Sequence, residues 1–307
     1  MNLVKIHTID LNFLNLEHSI AAFVVETKEG PVLIESGPAS TLPRMQNGLA
    51  ELGLKMEDIK HVFLSHIHFD HAGAAWAFAE KGANIYVHPV GLPHMASPEK
   101  LYNSARMIYG DEMDRLWGPM NPISETQLVA PEHGDVIQVG ELEFKAWYTP
   151  GHAVHHIAWE LPSQGLVFCG DVAGVKIETG PVMPPCPPPD INVEDWLNSI
   201  DLLKNLKSQG LILTHFGAVS GKMEHLENLK KILVSWANWM KPYFEKQIPA
   251  EQIIPQFQEF VKTALEQQDV SEANIQRYEA ANPAFMSVAG LLRYWKKRTD
   301  AISKSHN

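Results

Sequence analysis

The chain has 307 residues, 45% hydrophobic and 20% charged, the composition of an ordinary water-soluble folded protein with room for one large domain or a domain with an appendage. Lys and Arg number 25 against 36 Asp and Glu, and the net charge of −11 argues against nucleic acid or an anionic membrane as partner. Two cysteines, Cys169 and Cys186, exclude a disulfide framework and suggest a reducing compartment. Residues 1–10 lack the basic start and apolar core of a signal peptide, and no stretch approaches the roughly 20 apolar residues needed to span a bilayer. The expectation is a cytoplasmic soluble protein.

In chain order, residues 3–36 alternate and turn like strands. Segments 19–26 and 31–35 flank Lys28-Glu29-Gly30, a hairpin-like connection. Ser36-Gly37-Pro38 stops the second strand, and residues 41–53 read as an amphipathic helix ending at Gly53. Residues 59–64 form a buried strand, followed by a His-rich loop, a helix through Glu80 with a stop at Gly82, and a strand at 84–88. Strand–helix–strand order points to an α/β sandwich rather than a helix bundle or an all-β fold.

Residues 92–130 interrupt the pattern. Tyr102, Met107, Tyr109, Met113, Leu116, Trp117 and Met120 recur at roughly helical spacing, with no strand evident. These side chains either pack on the body of the domain or form an inserted cap over a substrate pocket. Strands resume at 135–139 and 142–148 around a Gly140-Glu141 turn, then at 148–152, 157–161 and 165–171. The proline-rich run 181–189 is a stiff extended loop. A helix at 193–208 leads to a strand at 210–215 that ends in histidine. From Gly221 onward only helices are expected, three or four of them, punctuated by Pro249, Pro255 and Pro283. Leu226, Leu229, Leu233, Trp236, Met240 and Tyr243 form an amphipathic stripe, read as core contact with a homodimer face as the alternative.

The chemistry concentrates in Ser65-His-Ile-His-Phe-Asp-His71. His66 and His68 sit two apart and point the same way on an extended backbone, while Asp70 and His71 fall where the chain turns into a helix. Imidazole and carboxylate together suit zinc, iron or manganese. Three later strand ends add His152, Asp171 and His215. Five histidines and two aspartates suffice for two ions sharing one carboxylate. His155 and His156 are read as structural polar groups, with alternation turning His156 toward the face of His152. His88, His94, His133 and His225 have no ligand context. No nucleophile elbow and no glycine-rich phosphate loop occurs.

The elements Ser-His66-Ile-His68-Phe-Asp70-His71, Thr-Pro-Gly-His152, Cys-Gly-Asp171 and Leu-Thr-His215-Phe-Gly resemble, in order and type, those of the metallo-β-lactamase-fold hydrolases. The resemblance covers roughly residues 1–220. It implies an α/β fold, an αββα sandwich forming a catalytic domain over 1–220, with a helical cap inserted at 92–130 and a C-terminal helical extension at 221–307. It also implies two divalent metal ions per chain, zinc first with iron or manganese as alternatives. His66, His68 and His152 would hold one ion, Asp70, His71 and His215 the other, and Asp171 would bridge them. Asp70 would also be catalytic, holding a bridging hydroxide that attacks an ester, thioester or lactone carbonyl.

Glu35-Ser-Gly37 stands where such proteins commonly have Asp-Thr-Gly, which leaves the role of Glu35 open. The intact His68 favours the hydrolytic branch over flavodiiron-type oxidases, which tend to carry Glu there. Hydroxyacylglutathione hydrolases are similar in their C-terminal helical region, and by that resemblance their basic pair would correspond to Arg293 and Lys296. Residues 171–180 nevertheless lack their Asp-Thr-Leu-Phe continuation, and Gly174 stands where homoserine-lactone lactonases carry Tyr. The alternatives to a hydrolase are a single-iron persulfide dioxygenase-like oxidoreductase and a non-catalytic binding protein.

Overall fold

In the computed structural model, which describes residues 4–305, the apolar runs pair into two sheets that divide the chain by sequence. The first holds β1 (Ile6–Asp10), β2 (Ala21–Val25), β3 (Val32–Ile34), β4 (His61–Phe63), β5 (Asn84–Tyr86) and β6 (Leu128–Val129), in that spatial order. The second holds β7 (Val136–Val139), β8 (Leu142–Tyr148), β9 (Ile157–Leu161), β10 (Leu166–Gly170), β11 (Gly210–Leu213) and β12 (Gly217–Val219), again in sequence order. β3 to β6 run parallel, as do β10 and β11, and the remaining pairs are antiparallel.

Parallel neighbours need crossovers. α1 (Leu42–Glu51) links β3 to β4. α2 (Phe69–Ala72) and α3 (Ala75–Ala79) link β4 to β5, and α7 (Val193–Asn205) lies between β10 and β11. The connection from β5 to β6 holds α4 (Leu92–Ala96), α5 (Glu99–Tyr109) and α6 (Met113–Leu116). Four helices follow β12: α8 (Lys222–Glu245), α9 (Ala250–Glu266), α10 (Glu272–Ala281) and α11 (Ala284–Ser305).

The alternation of each strand decides the layers. Inward-facing Phe23, Phe63, Phe144, Trp159 and Phe168 fill the space between the sheets. The ring of Phe63 lies 4.7 Å from that of Phe144 and 4.8 Å from that of Trp159, aromatic contacts across the sandwich worth about 0.5–1.5 kcal/mol each beyond their buried area. The outer face of the first sheet is covered through Met45, Leu49 and Phe78, and that of the second through Trp196, Leu229 and Leu291. The result is the αββα sandwich that the resemblance implied.

Several local expectations need correction. Residues 92–130 contain a strand after all: the two residues of β6 pair with β5 at the edge of the first sheet. β12 was not anticipated, since three residues on the edge of β11 owe their strand state to pairing rather than to propensity. Residues 149–152 are not strand but loop beyond β8. The stripe on α8 is spent inside the chain, where Leu226, Leu229, Leu233, Trp236 and Met240 are buried in one cluster with Phe257 and Leu291. The first three residues of the segment read for a signal peptide, and residues 306–307 of the C-terminal extension, lie outside the described residues. Among the described residues no helix is long and apolar enough to cross a membrane.

One edge of the sandwich is laced. The backbone of Ile157 donates to Ser65 O at 2.7 Å, that of Ala21 to Thr214 O at 2.8 Å, and Trp159 Nε1 to Leu64 O at 2.9 Å. These bonds join the two sheets where β4 and β11 end and β2 and β9 begin. The candidate ligands collect at the same edge.

Candidate metal centre

β4 stops at Phe63, and the chain passes through residues 64–68 into α2. His66 and His68 therefore lie on non-helical backbone, while Asp70 and His71 occupy the first turn of a helix. Asp171 follows β10 directly and His215 stands two residues past β11, so parallel strands deliver both at their carboxyl ends. Gly170 makes the turn before Asp171 with φ +48°, and a Cβ there would come within 2.4 Å of the Ser65 hydroxyl. Glycine is the residue that lets this loop approach so closely.

The seven candidate ligands meet in space. His66 Nε2 lies 2.8 Å from His68 Nδ1 and 3.2 Å from His152 Nε2, and the remaining side of that triangle is 3.0 Å. Asp70, His71 and His215 form a second group, with Asp70 Oδ2 at 3.6 Å from His71 Nε2 and 3.4 Å from His215 Nε2. Asp171 stands between the two. Its Oδ2 lies 3.3 Å from His152 Nε2, and its Oδ1 lies 3.3 Å from His71 Nε2 and 3.4 Å from His215 Nε2.

Four of the five imidazoles are aimed by a partner on the other nitrogen. His215 Nδ1 donates to Ser19 O at 2.7 Å and His152 Nδ1 to Pro185 O at 2.8 Å. His66 Nδ1 is 2.9 Å from the Ser65 hydroxyl, and His71 Nδ1 is 3.2 Å from Glu35 Oε1. All four present Nε2 to the centre, whereas His68 presents Nδ1. Glu35 thus acquires a definite place. It is buried at φ +64°, accepts from Ser65 N at 3.2 Å and from Thr214 Oγ1 at 3.3 Å, and orients His71. His156 supports Asp171, accepting from its backbone N at 3.2 Å, and lies 2.8 Å from the hydroxyl of Thr149. His155 stays outside both groups, near Asp190 at 3.8 Å.

The donors fit a cation. Three buried polar atoms, His71 Nε2, Asp171 Oδ1 and His215 Nε2, have no hydrogen-bond partner and converge on one point. Buried polar atoms are ordinarily satisfied. Two nitrogens on one tetrahedral zinc, each about 2.0–2.1 Å away, stand about 3.3–3.4 Å apart, close to the nitrogen triangle found here. The charges agree. Burial and then the neighbouring imidazoles pull His66 and His68 well below the usual histidine range, keeping them neutral lone-pair donors. Burial opposes charge on His71 and His215, but Asp70 and Asp171 outweigh it and raise both. Burial likewise opposes the charge of Asp70, yet His71 and His215 hold it at about 2. The cluster attracts positive charge from carboxylates and offers neutral nitrogen to receive it.

A cavity of about 970 Å³ opens on the cluster, with His68, Asp70, His152 and Asp171 in its wall. Helices α5 and α6 cover one side, and the proline loop, α10 and the start of α11 the other. Arg293 and Lys297 both donate to Pro189 O, at 3.1 and 2.7 Å, and neither Arg293 nor Lys296 lines the cavity. The carbonyls of Ser19 and Pro185 went unread in the sequence because backbone acceptors carry no residue-type signal. Ser65, immediately before the histidine run, could have been found from its adjacency.

The sequence profile of the metallo-beta-lactamase superfamily matches residues 17–215. A metallo-beta-lactamase fold-containing protein of Sulfurisphaera tokodaii is 27% identical over 222 residues, covering 69% of this chain and 83% of its own length. A hydroxyacylglutathione hydrolase of Legionella pneumophila is 28% identical over 113 residues, 37% of this chain and only 33% of that enzyme. Among solved structures, a metallo-beta-lactamase family protein of Thermus thermophilus superposes with a TM-score of 0.63 at 19% identity, covering 96% of this chain and 94% of its own. The profile match spans more than half of the chain and includes all seven clustered candidate ligands, His215 as its last residue, and the chain belongs to the metallo-beta-lactamase superfamily.

Proposed function

We propose that the protein is a metal-dependent hydrolase that cleaves an ester, thioester or lactone bond in a small molecule. In this reading residues 1–220 are the catalytic unit, 92–130 supply its cap, and 221–307 form the wall opposite the cap. The observation that carries the proposal is the complete set of seven ligands in two groups that share Asp171. His66, His68 and His152 would hold one divalent ion and Asp70, His71 and His215 the other, zinc being the best match to nitrogen-rich tetrahedral donors. Bound there, the ions would supply a water of lowered pKa and an electrophile for the substrate carbonyl.

The chain's own residues do the rest. Asp70 remains a carboxylate and is partly open to the cavity, so it accepts a hydrogen bond from the attacking water and fixes its direction. Tyr109 lines the same cavity, and burial together with the charge of Asp70 raises its pKa, keeping a neutral phenol available to donate to the carbonyl oxygen. The cap and the C-terminal helices exclude water around the acyl group.

Metal analysis of the purified chain and assay on a panel of esters, thioesters and lactones test the reading. Two ions per chain and hydrolysis that disappears in a His66→Ala/His68→Ala variant are expected. One iron with oxygen uptake would instead identify an oxidoreductase, and equal hydrolysis by variant and parent would remove the proposal.

A further inference from the structure

We propose that the cavity selects neutral, apolar acyl substrates, an ester or lactone whose acyl chain lies beneath the cap, over thioesters of acidic peptides. The inference rests on the hydrolytic reading above and adds the substrate class.

Much of the wall beyond the ligands is apolar: Ile67 and Phe69 from the ligand loop, Leu116 and Trp117 from the cap, Phe285 and Met286 from α11. Its volume of about 970 Å³ stands near the upper end of small-molecule sites, far more than a short acyl group fills. The rim is apolar as well. Val90, Ile108 and Val154 line the cavity and are 48%, 47% and 43% exposed. They are three of the seven large hydrophobic side chains exposed among the described residues. Singly such exposure is ordinary, but three around one mouth form a path that an apolar chain can follow from solvent to the centre.

Charge points the same way. Apart from the ligands, the lining carries two cations, Lys100 and Arg115, against three carboxylates, Glu112, Asp190 and Glu279. Arg115 is tied to Glu112 by two contacts, at 2.5 and 2.6 Å. On α11, Arg293 and Lys297 are committed to Pro189 O and Arg298 to Glu194, and none of the three lines the cavity. The carboxylates of an acidic peptide would meet more negative than positive charge here, whereas a neutral chain meets hydrocarbon.

The test has a catalytic and a binding arm, both on the full metal-loaded chain. In the first, kcat/KM is measured for 4-nitrophenyl acetate, butyrate, octanoate and decanoate and for the lactoyl thioester of γ-Glu-Cys-Gly. In the second, ketone analogues of the butyryl and decanoyl esters, which cannot be hydrolysed, displace Nile red. The expected result is a rise of about twofold to fourfold per added methylene in both arms, with the thioester poorest. Ile108→Asp, at an exposed rim position, should reduce the decanoyl-to-butyryl ratio about fivefold or more in both arms. Ketone binding that ignores chain length, or a thioester turned over as well as the decanoate, would overturn the inference. Length-dependent ketone binding without any ester hydrolysis would leave the apolar selection standing and remove the hydrolytic reading instead.

Discussion

His152 Nδ1 donates to the carbonyl oxygen of Pro185 across 2.8 Å, so a backbone group in the proline-rich loop sets the tautomer of an imidazole at the centre. That loop is held by the C-terminal helices. Asn282 Nδ2 donates to Pro184 O at 3.2 Å, and Cys186 N donates to the Ser287 hydroxyl at 3.3 Å. A Cβ on Gly290 would stand 2.0 Å from Cys186 O, so α11 meets the loop backbone to backbone. Ser287→Ala leaves the buried Cys186 N–H without its acceptor, at about 1–3 kcal/mol of stability. Zn²⁺ affinity is expected to fall about tenfold, the lower end of what losing a ligand's support costs. Competition with a chromophoric chelator measures this, and parental affinity would show that the loop acts independently of α11.

Glu35 offers a sharper substitution. Glu35→Gln keeps the shape and one oxygen, which can stay with Thr214 Oγ1 and His71 Nδ1 while the amide nitrogen replaces the acceptor of Ser65 N, and removes the negative charge beside His71. Zn²⁺ binding should weaken about 10- to 100-fold with little change in melting temperature of the metal-free chain. A Glu35→Gln protein that binds as tightly as the parent would show that hydrogen bonding, not charge, is what His71 needs.

Removing metal should destabilise the fold, because an ion bound only by the native state adds RT ln(1 + [L]/Kd). At free Zn²⁺ about 1,000 times Kd the gain is about 4 kcal/mol. For a chain of this size that corresponds to a rise in melting temperature on the order of 10 °C, readable by scanning fluorimetry before and after chelation. A melting temperature indifferent to chelator would contradict a native-state ion.

His88 gives a pH dependence away from the centre. It is 7% exposed, accepts from Val90 N at 3.1 Å, and burial lowers its pKa to about 4. The unfolded chain, with an ordinary histidine, takes up a proton below about 6.5, and the folded chain does not until about 4. Stability therefore declines as pH falls through that window. His88→Gln, which can still accept from Val90, should flatten the decline in melting temperature relative to the parent. Parallel curves would assign the acid sensitivity elsewhere.

The clustering of the candidate ligands was legible because its signals are local: a dense run after one strand and single polar residues after three apolar segments, all brought to one edge by the order of strands. The main sheets were legible through alternation. β6 and β12 were not, since two or three residues become strand only when a neighbour pairs with them. The role of Glu35 was hidden for another reason. Its meaning depends on φ +64° and on contacts with Ser65 and Thr214, 30 and 179 positions away. Arg293 drew attention by residue type, whereas its use in holding Pro189 depends on where α11 lands.

The two sheets are contiguous halves of the chain, β1 to β6 from one and β7 to β12 from the other. His66, His68, Asp70 and His71 come from the first half, and His152, Asp171 and His215 from the second. Ions held among them would act as crosslinks between the N-terminal and C-terminal halves, fastened at the open edge while Phe63, Phe144 and Trp159 hold the interior. The centre would then be a clasp as well as a site: loss of its ions would loosen the mouth between the halves before the aromatic seam gives way.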